Sequence, residues 1–171
     1  MKTFKRTLVL LAVCMLPVCM SARTEKETPA YRQKGYAGSV AMTDWLFVFG
    51  GLETSHGYMF NEHHYLGAGA GFFLAPIDDV PPTLVHVYGE YKGYFLKKKS
   101  TPTAGIRTGI CTTVTEHSGY VFSQAWELEP NIGWDWGLKN GKGLNLSIGA
   151  TMMVANRNMT AMPKLSFGIH F

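Results

Sequence analysis

Residues 164–171 read KLSFGIHF, and the strict alternation of this stretch decides the fold class. The apolar set is Leu165, Phe167, Ile169 and Phe171, and small or polar residues fill the positions between them. Successive side chains of an extended strand point to opposite faces, so this spacing predicts a β-strand with one apolar face. A helix would scatter these apolar residues around its axis.

The same period of two recurs upstream and predicts eight strands in an all-β protein. The segments are 36–42, 45–58, 66–74, 85–95, 104–114, 124–136, 143–154 and 164–171. Turn residues between them predict connections at Thr43-Asp44, Phe60–His63, Pro76–Pro82, Leu96–Thr101, Thr115–Tyr120, Gly137–Lys142 and Asn156–Met159. No stretch after Tyr36 shows the helical period of 3.6 residues.

The amino-terminal segment has the layout of a cleavable signal peptide. Basic residues at positions 2, 5 and 6 precede the apolar run Leu8–Met20, and small residues follow around Ser21. That run is shorter than the roughly 20 residues of a membrane-spanning helix. We therefore expect a signal peptide at 1–21, a short periplasmic segment at 22–35 and a barrel domain at 36–171.

The composition of the chain excludes further classes of protein. The chain has 171 residues, of which 46% are hydrophobic and 16% charged, yet its mean hydropathy is zero. Without the three basic residues of the signal peptide, 13 basic residues face 12 acidic ones, so no basic face predicts nucleic-acid binding. Removing residues 1–21 also leaves Cys111 as a single cysteine, which cannot form an internal disulfide.

The polar faces of the strands indicate a membrane barrel rather than a soluble one. They carry many glycines and serines with a few separated charges, whereas the apolar faces carry large aromatics near the strand ends. A transmembrane β-barrel has an apolar lipid face, aromatic girdles and a polar interior. The sequence therefore predicts an eight-stranded antiparallel up-and-down transmembrane β-barrel. A secreted soluble barrel that binds a small apolar ligand is the alternative in which the opposite face points outward.

The stretch Gly57–Gly71, GYMFNEHHYLGAGAG, resembles a hairpin of small bacterial outer-membrane β-barrel domain proteins. In that family an aromatic-rich turn leads into a glycine-alternating strand. The final strand, with Phe167, Ile169 and Phe171, resembles the family's C-terminal assembly signal. The resemblance implies a location in the bacterial outer membrane, contact with its lipids and assistance from the barrel-assembly machinery. The resemblance supplies no catalytic residues. We expect the barrel to be a monomer.

Charged residues on the polar faces are candidates for an interior network. They are Glu53, Glu90, Lys92, Arg107, Glu127, Glu129, Asp135 and Lys164, with His86 and His170 on the same faces. Isolated charges in a narrow barrel would be costly, so opposite signs should pair. We expect Arg107 to bridge to Glu127 or Glu129, with Lys92 and Glu90 joining. A side-chain plug is favoured over a gated ion path, because wide lumens belong to barrels of 16 or more strands.

Aromatics on the apolar faces are candidates for a membrane girdle. They are Tyr58, Tyr91, Phe95, Trp134 and Trp136. Trp and Tyr favour the membrane–water interface because each combines an apolar ring with a polar group.

Other short motifs do not predict a cofactor or metal. Glu62, His63 and His64, with His56 nearby, lack the spacing of a metal site, because adjacent strand residues face opposite ways. The glycines of residues 67–71 precede no helix, so they do not form a dinucleotide fingerprint. Residues 97–99 are three lysines, expected as a solvated turn or an anionic-lipid contact. Asp78-Asp79 has only weak potential to bind calcium.

A lipid-modifying enzyme in the same barrel is the second alternative. Glu116, His117 and Ser118 have the residue types of hydrolytic catalysis. Consecutive residues seldom act as nucleophile, base and orienting group for one another, and no Gly-x-Ser-x-Gly motif is present. We therefore expect a non-enzymatic barrel with a structural, adhesive or lipid-contacting role.

Overall fold

Eight antiparallel strands form a closed barrel in the computed structural model of the chain, which describes residues 31–45, 49–74, 83–113, 124–138, 141–155 and 158–171. The strands are β1 (Gly35–Trp45), β2 (Phe49–Met59), β3 (His64–Leu74), β4 (Thr83–Tyr94), β5 (Ser100–Thr113), β6 (Gln124–Gly137), β7 (Gly143–Ala155) and β8 (Asn158–His170). The expected signal peptide, Asp78-Asp79 and residues 116–118 lie outside the described residues.

Each strand pairs with its sequence neighbours, and β8 pairs with β1 to close the barrel. The paired residues can be followed from Gly35 in β1 through all eight strands to Lys164, which pairs with Trp45 of β1. From Gly35 to Trp45 is an offset of ten residues along the starting strand. This stagger tilts the strands and sets the barrel's width, as closure of a sheet requires.

The barrel has two distinguishable ends. We call the end where β1 begins and β8 ends the proximal end; it also holds the turns 60–63, 95–99 and 138–142. The other end, where β1 ends and β2 begins, is the distal end. In the first proximal turn, Asn61 Oδ1 accepts hydrogen bonds from the backbone N–H groups of His63 and His64, at 2.8 and 3.0 Å. This Asn side chain fixes the tight reversal between β2 and β3.

The two faces of the sheet differ as the alternation predicted. In β8, Lys164 is 2% exposed, whereas its neighbour Leu165 is 45% exposed. Apolar side chains cover the outside of the other strands as well, for example Val87, Ile106, Ile132 and Ile148. The prediction of an all-β, eight-stranded antiparallel barrel is confirmed. Among the described residues no helix has the length and apolar character needed to span a membrane.

Several strand boundaries differ from those predicted. Thr43 and Asp44 do not form a turn but belong to β1, where they pair with Ser166 and Leu165 of β8. Trp45 accordingly ends β1 instead of beginning β2. The sequence signal failed because Asp and Thr are common in turns, whereas pairing with strands on both sides stabilises the extended backbone here. β5 begins at Ser100 and β8 at Asn158, both inside predicted turns, because Ser100 pairs with Trp136 of β6 and Asn158 pairs with Ala155 of β7.

Candidate functional site in the barrel interior

Arg107 lies at the centre of the interior charges. Its Nε donates a hydrogen bond to Glu90 Oε2 at 2.8 Å, and its Nη1 donates to Glu53 Oε2 at 2.8 Å. A longer contact of 3.5 Å joins Nη1 to Glu129 Oε1. The guanidinium also sits over the Tyr88 ring, 5.0 Å from its centroid. One cation from β5 therefore holds carboxylates from β2, β4 and β6.

Lys164 is the second cation of this network. Its Nζ donates to Glu129 Oε2 at 2.7 Å and also to Glu53 Oε1. Thr151 supplies a further hydrogen bond to Glu129 Oε2, at 3.2 Å. Glu53 and Glu129 thus each contact both Arg107 and Lys164. Buried charges need this degree of pairing, because an unpartnered charge in a protein interior costs several kcal/mol.

His86 extends the network toward the distal end. Its Nδ1 lies 2.9 Å from Glu127 Oε1, and its Nε2 lies 3.2 Å from Glu53 Oε1. The imidazole also packs against Phe73 and Tyr88, with ring centroids 5.0 and 4.9 Å away. This histidine therefore connects the central charges to the aromatic rings of Phe73 and Tyr88.

The glycines of β3 make room for these large side chains. A Cβ on Gly71 would lie 2.5 Å from His86 Nε2 and 2.7 Å from Glu53 Cγ, and one on Gly69 would meet the ring of Tyr88. Both distances are shorter than atoms tolerate. The alternating glycines of residues 67–71 are therefore a packing feature of the lumen, and not part of a nucleotide-binding loop.

An apolar cluster fills the distal part of the interior. It consists of Trp45, Phe73, Leu84, Cys111, Ala125 and Met153, each at most 4% exposed. The Trp45 and Phe73 rings stack with centroids 4.0 Å apart. Lys164 Nζ lies 5.5 Å from the Phe73 centroid, so this cluster borders the charges directly.

A separate cluster closes the proximal part. Met59, Tyr65 and Tyr94 pack together there. The Tyr65 hydroxyl lies 2.8 Å from Ser55 Oγ, which in turn donates to Glu90 Oε1 at 2.5 Å. These hydrogen bonds connect the proximal cluster to the central network.

Residues 31–34 reach across the proximal mouth. Arg32 Nη1 donates to Asp135 Oδ1 at 3.0 Å, and Arg32 Nη2 donates to the carbonyl oxygen of Lys98 at 2.6 Å. The guanidinium also covers the Tyr94 ring at 5.0 Å. His170 Nδ1 lies 3.1 Å from the other oxygen of Asp135. Asp135 thereby joins the segment before β1 to the last residue of β8.

The candidate network residues therefore fall into separate groups. All eight are at most 9% exposed and face the interior. Glu53, Glu90, Glu129 and Lys164 gather around Arg107, while Glu127 contacts His86 and not Arg107. Asp135 lies apart from this centre, with Arg32 and His170. Lys92 is 9% exposed and lies near Glu90, with which it interacts electrostatically.

The five girdle candidates all lie on the outside near the proximal end, and each is at least 37% exposed. Two of them have hydrogen-bond partners on the same surface: Tyr91 OH is 2.7 Å from His64 Nδ1, and Trp134 Nε1 donates to Ser100 Oγ at 2.6 Å. At the distal end Trp126 is outward and 65% exposed. Among the described residues, the proximal end therefore carries more outward-facing aromatics than the distal end.

Sequence reasoning missed two features of the site. Arg32 lay in the segment before the first strand, where no periodicity marks an inward side chain. His56 faces outward, with Nδ1 2.6 Å from Tyr36 OH and Nε2 3.0 Å from Thr54 Oγ1. These hydroxyls satisfy a histidine on the apolar surface. The i, i+2 spacing of Thr54 and His56 could have indicated that they share a face.

The histidines considered for a metal have other partners. His63 Nδ1 donates to the carbonyl oxygen of Tyr94 at 2.7 Å, and Glu62 pairs with Lys97 at 2.9 Å. The rings of His63 and His64 are 6.3 Å apart and inclined by 58°. Within the described part of the chain, no group of three or more His, Cys, Asp or Glu residues is arranged to hold a metal ion.

Comparison with solved structures places this architecture among outer-membrane barrels. The Neisserial surface protein A has a TM-score of 0.59 at 12% identity, covering 84% of this chain and 98% of that protein. The N-terminal β-barrel domain of Pseudomonas aeruginosa OprF has a TM-score of 0.57 at 13% identity, covering 81% and 98%. A de novo designed transmembrane β-barrel has a TM-score of 0.50 at 12% identity, covering 86% and 98%. No protein-family model and no curated protein matches the chain. The likeness shows that this chain has the fold of eight-stranded outer-membrane barrels.

Proposed function

We propose that this protein is a non-enzymatic bacterial outer-membrane barrel whose lumen is filled by side chains, with a structural and lipid-contacting role. The observation that carries the proposal is the central network, in which Arg107 and Lys164 hold carboxylates from β2, β4 and β6. Such a network crosses the lumen at mid-height, where an open channel would need space.

Membrane insertion is supported by the outer surface. Every strand presents apolar side chains outward, and many are more than 40% exposed, among them Met42, Leu66, Val87, Ile106, Ile132, Ile148 and Phe167. A soluble monomer rarely exposes a continuous apolar patch larger than about 600 Å². Strands of 11 to 14 residues also match or exceed the roughly 9–11 needed to cross a bilayer at a tilt.

A filled lumen is supported by three successive layers of side chains. The distal cluster around Trp45 and Phe73 is apolar, the centre is ion-paired, and the proximal cluster around Tyr94 lies beneath Arg32. An eight-stranded barrel encloses a space that its own side chains can fill. The interior therefore serves to stabilise the barrel rather than to conduct ions.

Two measurements test this proposal in sequence. Cell fractionation combined with heat-modifiable gel migration should place the folded protein in the outer membrane; recovery in the soluble fraction without detergent would favour the soluble ligand-binding barrel instead. Planar-bilayer recordings should then show negligible conductance, and large stable channels would contradict the filled lumen.

The absence of enzymatic activity is tested by lipid analysis of overexpressing cells. The proposal expects an unchanged lipid composition, both for the natural chain and for the His117→Ala and Ser118→Ala variants. A modification that appears with the natural chain and disappears in either variant would establish the lipid-modifying alternative.

Recognition by the barrel-assembly machinery and a monomeric state belong to the same proposal. Phe167 and Ile169 face outward and are 50% and 47% exposed, so an assembly factor could contact them during insertion. Cross-linking during assembly tests the first point, and native mass spectrometry of the detergent-solubilised barrel tests the second.

A further inference from the structure

Exposed lysines surround the proximal end of the barrel. Those among the described residues are Lys34, Lys97, Lys98, Lys99 and Lys142, and we call this set the basic rim. The side chain of Lys97 is 68% exposed. Three of the five lie in the turn between β4 and β5, and Lys142 lies in the turn that follows β6.

Few acidic groups offset the basic rim. The described acidic side chains near this end are those of Glu62 and Asp135. Glu62 contacts Lys97 at 2.9 Å, and Asp135 is fully buried between Arg32 and His170. The described part of the proximal surface therefore carries a net positive charge.

The basic rim directly borders the lipid-facing aromatics. Trp136 pairs with Ser100 on one side and with Leu144 on the other. Lys99 immediately precedes Ser100, and Lys142 lies two residues before Leu144, so lysines stand close in sequence to both pairing partners of Trp136. Phe95, Leu96 and Leu138 are each more than 40% exposed beside them.

We propose that the basic rim binds the headgroups of anionic phospholipids in the surrounding bilayer. Trp and Tyr girdles lie at headgroup level, which places the neighbouring lysines at the same depth as lipid phosphates. Anionic membrane surfaces attract lysines held near them. An acidic soluble protein would supply the same charge, but it would not reach the apolar side chains that border the lysines on the barrel wall. The inference rests on the proposed membrane location and names the lipid class.

Brominated lipids provide the test, because bromine quenches tryptophan fluorescence only at close contact. In Trp126→Phe, the lipid-facing indoles that remain are Trp134 and Trp136, both proximal, while Trp45 is fully buried. This variant is folded into vesicles containing equal fractions of brominated phosphatidylglycerol or brominated phosphatidylcholine. We expect phosphatidylglycerol to bind about fivefold more strongly at the proximal surface, the effect of one lysine contact. High salt should reduce this preference, since it screens exposed charges.

Matched variants separate charge from position. Changing all five lysines of the basic rim to Gln together should abolish the preference, whereas changing them to Arg should keep it. A reporter with Trp134→Phe and Trp136→Phe, which retains Trp126 at the distal end, should show no preference.

Each remaining outcome counts against a specific statement. Equal quenching by both lipids in Trp126→Phe with its lysines unchanged would overturn the lipid-binding inference. A preference for phosphatidylglycerol that is unchanged at 1 M salt would also overturn it. A preference retained in the Gln variant would show that the lysines of the basic rim do not cause it. If neither brominated lipid quenches the proximal indoles, the barrel is not in the bilayer and the proposed function itself fails. If the Gln variant does not fold, the salt dependence of lipid binding by Trp126→Phe decides whether the lysines attract the lipid.

Discussion

Arg32 and Asp135, which are 103 positions apart in the chain, form a buried ion pair of 3.0 Å at the proximal mouth. The pair fastens the segment before β1 to β6, and His170 adds the end of β8 to the same carboxylate. The proximal mouth is therefore closed by residues from both ends of the barrel sequence.

Asp135→Asn should lower the free energy of unfolding by about 2 kcal/mol, because the buried group that faces the Arg32 guanidinium and His170 loses its negative charge. Urea unfolding in lipid vesicles, followed by tryptophan fluorescence, measures this change. A double-mutant cycle with Arg32→Gln should show coupling between the two positions. Strictly additive effects would mean that the contact contributes nothing to stability.

Arg107→Met should lower the free energy of unfolding more than Asp135→Asn does, because it leaves Glu53 and Glu90 without their shared cation. Breaking a buried ion pair by removing one partner costs about 3–5 kcal/mol. The same unfolding measurement applies, with Ile106→Val on the outer face of the strand as the control. A variant of Arg107 as stable as that control would show that the network is dispensable for folding.

Gly71→Ala should destabilise the barrel by about 1–3 kcal/mol, because a methyl group there would overlap His86 and Glu53. Ala70→Val is the matched change on the lipid-facing side of the same strand, and it should have little effect. Heat-modifiable migration at increasing temperature compares the two variants. Equal melting behaviour would contradict the packing role of the glycine.

Cys111 should resist maleimide in the folded barrel and react once the barrel is unfolded in urea. Its side chain is fully buried in the distal cluster with Trp45 and Phe73. Peptide mapping by mass spectrometry identifies modification at this position specifically. Rapid labelling of the folded protein would show that the distal interior opens to solvent.

Deletion of Phe171 should impair closure between β8 and β1. Its backbone N–H donates to the carbonyl oxygen of Gly38 at 2.9 Å, and the Gly38 N–H donates to the Phe171 carbonyl oxygen at 2.8 Å. We expect reduced outer-membrane levels in cells and slower refolding in vesicles. Phe171→Tyr keeps the aromatic ring and both backbone bonds, so it should assemble normally. A defect confined to cells would instead point to recognition by the assembly machinery.

The inward or outward direction of most side chains could be predicted from the sequence. Alternation is a local property of an extended chain, so Lys164 and Leu165 had to face opposite sides once either was assigned. The turn predicted at Thr43-Asp44 was wrong because those residues pair with β2 on one side and, on the other, with β8, which lies more than 100 positions away. The position of Arg32 was unpredictable for a related reason, since its partners lie on distant turns and strands.

The sequence by itself, most clearly in the alternation of KLSFGIHF at residues 164–171, determined an all-β chain, an apolar outer face and a set of charges that face inward. These properties depend on a two-residue period, which needs no knowledge of distant contacts. Only the tertiary structure decided that Arg107 meets Glu53 and Glu90 and that Asp135 binds Arg32. Those pairings depend on the ten-residue stagger at which the sheet closes, because that stagger brings side chains from five different strands to the same height in the lumen.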